Sequence, residues 1–203
     1  MIRLNGKFDV NVLREKCGES RSRIYGFILY TLKDAYVRRV LDDRYFGDSL
    51  SVRSGSNWPI FFIAPNNAAD DHKWDGYLNY MVSIPRWSLR ELSNEEEEIF
   101  DFFGLDSNYD SPCFVTFIWG DDNQLRSFVI SIDGSSEQSV FKNLSAIVSS
   151  ITYAESHILE EYKSTDRVFL QVKSNLEALK FKYKVQKFVN KAVPFVEFFS
   201  NFR

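Results

Sequence analysis

Residues 113–132 read CFVTFIWGDDNQLRSFVISI. Two runs rich in β-branched and aromatic residues, 113–119 and 125–132, flank GDDNQ, whose Gly, Asp and Asn suit a hairpin loop. The pattern predicts two antiparallel strands, the second closed by Asp133-Gly134. Ser135 with Gln138 then caps a long helix, and Val140, Phe141, Leu144, Ile147, Val148 and Ile151 hold helical period to about Tyr162. A hairpin feeding a long amphipathic helix points to the α/β class.

Upstream of the hairpin, Ser93 and Glu96 in SNEEEE match a capping box. Glu95 to Glu98 sit where the helix dipole favours acids, Ile99, Phe102 and Phe103 supply the apolar side, and Gly104 ends the helix. WPIFFIAP, residues 58–65, reads as a buried strand between prolines. Residues 66–87 follow no period and read as a long loop, a kind that often carries function. DSLSVR, 48–53, reads as a short edge strand. Residues 22–41 space Ile24, Phe27, Ile28, Leu32, Ala35, Tyr36 and Leu41 as a helix, and KFDVNVL, 7–13, alternates as a strand. Near the C-terminus, LKFKYKV (179–185) alternates, yet its setting in good helix formers predicts a helix over 172–193, ending before Pro194. The fold read from these elements is a single α/β domain over 1–166. It has a central mixed sheet of about four to five strands with flanking helices, and a basic, Phe-rich helical extension over 167–203.

The 19 Phe and 10 Tyr supply a dense core, and nine Gly with five Pro exclude low-complexity or collagen-like architectures. Cys17 and Cys113 are far apart and form no CxxC, which disfavours a disulfide scaffold or zinc ribbon and favours the cytoplasm. The longest near-apolar run, Ile24 to Leu32, is about half of what a transmembrane segment needs. Charge is unevenly distributed. Residues 1–46 hold ten Lys/Arg against six Asp/Glu (+4), 47–166 hold seven against 20 (−13), and 167–203 hold eight against two (+6). Such a layout suits a partner of complementary charge, or basic ends packed on an acidic middle.

Ser111-Pro112 stands directly before the strand that starts at Cys113. With the hairpin and helix that follow, and the alternating elements before it, this order resembles the thioredoxin-like family, which keeps a cis-proline ahead of the equivalent strand. The resemblance covers residues 7–162. It implies the fold and no thiol chemistry, because NNAADDHKW after the Trp58–Pro65 strand, where that family carries CxxC, has no cysteine.

No phosphate-cradling loop, dinucleotide fingerprint, nucleophile elbow, HExxH or EF-hand loop is present, and only His72 and His157 are available as imidazoles. Asp70, Asp71, His72 and Asp75 could hold Mg²⁺, Ca²⁺ or Mn²⁺ in a metal-dependent enzyme, or simply stabilise turns. Lys173, Lys180, Lys184, Lys187 and Lys191 fall within about 60° of one helical arc. That row would suit nucleic-acid phosphates or an anionic membrane surface, or would be a solvated face or one docked on the chain's own acidic middle. Apolar residues lie on one side of the row before Lys180 and on the other after it, which favours a helix with two neighbours. Trp74, Tyr77, Tyr80 and Trp87 in the long loop suit a protein-binding surface or core anchors. The expectation is therefore a non-enzymatic protein–protein interaction module, such as an immunity or regulatory protein or an accessory subunit, with no cofactor. Nucleic-acid binding through the lysine row and metal-dependent catalysis at residues 70–75 are the alternatives.

Overall fold

A computed structural model describes residues 2–4, 9–20, 22–31, 33–54, 58–63, 94–105, 112–120, 122–158 and 164–200, with backbone alone beyond Tyr183. Five strands, β1 (Ile2–Leu4), β2 (Tyr25–Leu29), β3 (Ile60–Ile63), β4 (Cys113–Trp119) and β5 (Leu125–Ser131), form one mixed sheet in the order β1-β3-β2-β4-β5. The β1–β3 and β3–β2 pairs are parallel, and β2–β4 and β4–β5 are antiparallel.

The hairpin forms as its sequence dictates. Cys113 pairs with Ser131 and Trp119 with Leu125. The turn closes through the Gly120 amide donating to the Gln124 carbonyl, with Asn123 in the left-handed region at φ 61°. Along β4, Phe114 and Ile118 point to one face of the sheet and Cys113, Val115 and Phe117 to the other. Both faces are covered, so β4 reads as an unbroken apolar run.

The two faces hold separate cores. On one lie α2 (Ala35–Asp42), α3 (Arg44–Ser54), α5 (Glu137–Ser156) and the start of α6 (Thr165–Ser200), with Val37, Leu50, Ile147 and Val172 against Ile28, Ile60 and Phe114. On the other lie α1 (Val10–Glu19) and α4 (Asn94–Phe102), with Leu13, Cys17, Ile99 and Phe103 against Phe27, Phe61 and Phe117. The α/β class and single sheet with flanking helices are therefore as the sequence predicts.

Several element assignments are corrected. Residues 22–41 are not one helix: the chain runs as β2 and only then as α2. All five β2 residues are buried, with Ile24 and Ile28 facing one core and Tyr25, Phe27 and Leu29 the other. A central strand covered on both sides loses its period of two, and its apolar run then mimics a helix. Residues 10–13 are helical, not a strand. Asp9 accepts the Asn11 amide at 2.7 Å as N-cap, and the buried i,i+4 pair Leu13 and Cys17 fixes the inward face, leaving Val12 exposed. Residues 48–53 are the body of α3, not an edge strand. Asp43 accepts the Tyr45 and Phe46 amides, and Phe46 with Leu50 faces the core one turn apart.

The cap of α5 is Ser136 rather than Ser135, because Asp133 already accepts the Ser135 amide while Ser136 accepts that of Ser139. This helix ends at Ser156, short of Tyr162. In contrast, α4 ends as expected at Gly104 (φ 66°). There the Gly104 amide donates to Asp101 and the Leu105 amide to Phe100 in a Schellman arrangement. Ser93, its expected cap, and the expected loop over 66–87 lie outside the described residues.

The C-terminal helix is longer than its sequence suggests at both ends. Its first turns are helical because Val168, Phe169 and Val172 belong to the core. It also runs through Pro194 to Ser200. Proline removes one donor from the ladder, and the bonds on either side carry the helix across that gap.

Candidate functional site

At 36 residues and about 1.5 Å per residue, α6 is roughly 54 Å long. Its start is firmly seated. Ser164 accepts the Arg167 amide, and Asp166 takes the Arg126 guanidinium, which also pairs with Asp122 at 2.9 Å and so ties α6 to the β4–β5 turn. Val168, Phe169, Val172 and Leu176 are buried where the helix crosses α5, β4 and β5, and Leu179 packs partly against the same core. Tyr183 continues this side, and partial burial pushes its hydroxyl pKa up.

The opposite side is open. Leu170 is 63% and Phe181 69% exposed, and Glu177 between them is also exposed. At about 100° per residue, Phe181 lies roughly opposite the centre of the buried face. From Phe181 onward, Val185, Phe188, Ala192, Phe195 and Phe199 follow at alternating four- and three-residue spacing. All six fall within an arc of about 80° on the helical backbone.

The lysine row lies between these two faces. Lys173 reaches Glu177 at 4.0 Å, and Lys180 is half-buried. Lys184, Lys187 and Lys191 continue the row on the helix backbone, and their side chains lie outside the described residues. The row therefore flanks an apolar stripe rather than forming the prominent face itself.

A second location follows from the topology. The parallel strands β2 and β3 end side by side at Leu29 and Ile63, and the helices that follow them, α2 and α4, lie on opposite faces of the sheet. The carboxyl ends of both strands thus lie on one edge of the sheet. There the Thr31 amide and hydroxyl both donate to Asp34 Oδ2, at 2.7 and 3.1 Å, so this carboxylate already serves the turn into α2. The segment carrying Asp70, Asp71, His72, Asp75, Trp74, Tyr77, Tyr80 and Trp87 leaves β3 at this edge, and all eight residues lie outside the described residues. Among the described residues, no group of three or more His, Cys, Asp or Glu could hold a metal ion.

The thiols are held neutral. Burial pushes Cys17 and Cys113 up to about 12, so neither is a thiolate near pH 7. Cys17 lies by Trp119 and accepts the Tyr25 hydroxyl on its carbonyl, whereas Cys113 begins β4 six residues away, about 20 Å along the strand. Both are free thiols.

Tyr45 and Val52, 74% and 80% exposed, lie two turns apart on α3, and Tyr153 on α5 is exposed beside His157. Reading 48–53 as a strand concealed the Tyr45–Val52 pair, and only helical spacing brings it to one face. Leu170 is the other residue missed: it stands inside the apolar start of α6, and which side of that helix is buried depends on packing. No family model, curated protein or solved structure matches this chain. Among the described residues, no helix is long and apolar enough to cross a membrane.

Proposed function

We propose that this chain is a protein-binding module, a regulatory protein or an accessory subunit, that engages its partner through the outward face of α6. One observation carries the reading: Phe181, 69% exposed, begins an apolar stripe on the side of the helix opposite its buried face. Large apolar side chains in a row are costly to leave in water and mark interaction surfaces. Binding also fits a sequence without a catalytic fingerprint. Two free, buried cysteines suit a reducing compartment, and we place the protein in the cytoplasm.

The thioredoxin-like reading is part of this proposal. In its support, the described elements run β1, α1, β2, α2 and α3, β3, α4, the β4–β5 hairpin and α5. Neither the turn after β2, YTLKD (30–34), nor NNAADDHKW contains a cysteine, so a fold of that kind would serve here as a scaffold.

The test is Phe181→Asp in the tagged full-length chain. The expected outcome is loss of the co-purifying protein with a thermal midpoint within about 1 °C of the unaltered chain, since changes at exposed positions cost little. Retention of the same partner at the same yield would refute the assignment.

A further inference from the structure

We draw no further inference here: the strongest candidate, the outward surface of α3 on which Tyr45 and Val52 stand exposed two turns apart, is an unpartnered apolar face, and nothing in the structure shows what covers it.

Discussion

Gly26→Ala should destabilise the protein by about 1–3 kcal/mol, the usual cost of overpacking a tight core. A Cβ at Gly26 would stand 2.4 Å from Phe114 Cζ and 2.9 Å from Trp58 Cζ3. Neither ring can withdraw, because Phe114 is fully buried and Trp58 is 2% exposed with its indole N–H donating to the Thr152 hydroxyl. Alanine in a strand is intrinsically better than glycine by about 0.5–1 kcal/mol, so the sign of the result decides whether the contact or the propensity dominates. Urea titration gives the answer, and adding Phe114→Leu to the variant should recover part of the loss. A Gly26→Ala protein as stable as its parent would contradict the placement of β2 between β3 and β4.

Leu176→Asp should be more damaging. Leu176 is wholly buried on the inner side of α6, and a carboxylate there would lose its hydration without gaining a partner. Burying an unpaired charge costs several kcal/mol, against a typical total stability of about 5–15 kcal/mol. The expected result is a thermal midpoint lowered by tens of degrees or loss of a cooperative transition. Leu176→Ala should cost about 2–5 kcal/mol by leaving a cavity. A midpoint for Leu176→Asp close to that of the unaltered chain would mean that the inner face of α6 is not packed as described.

How far the fold was legible depended on whether an element kept a solvent face or a local signal. The β4–β5 hairpin was readable because GDDNQ separates two β-rich runs, and the end of α4 because Gly104 can adopt the left-handed conformation. The central strand β2 was not, because burial on both faces removes alternation. At α1 the apparent alternation of Val10 and Val12 competed with the Asp9 cap and the Leu13–Cys17 pair, and the cap with its buried pair prevailed. The same competition hid α3, where Phe46 and Leu50 establish helical spacing only when the segment is read from Asp43 onward.

The candidate site was legible in part. The shift of apolar residues across the lysine row at Lys180 could be read from the sequence. Periodicity alone does not say which side meets the domain, since both Leu176 and Phe181 are apolar. Packing resolves this: Leu176 is inside and Phe181 outside. The carboxylates and aromatics of residues 70–87 lie outside the described residues, so their expected roles rest on sequence.

The central claim is that α6 turns its distal apolar stripe toward another protein. The most direct measurement places p-benzoylphenylalanine at position 181 of the full-length chain in its native host and irradiates the cells. A covalent adduct between position 181 and a second polypeptide, identified by mass spectrometry, is the expected result. Crosslinks from position 181 confined to peptides of the same chain would contradict the claim, because the stripe would then be folded back on its own domain.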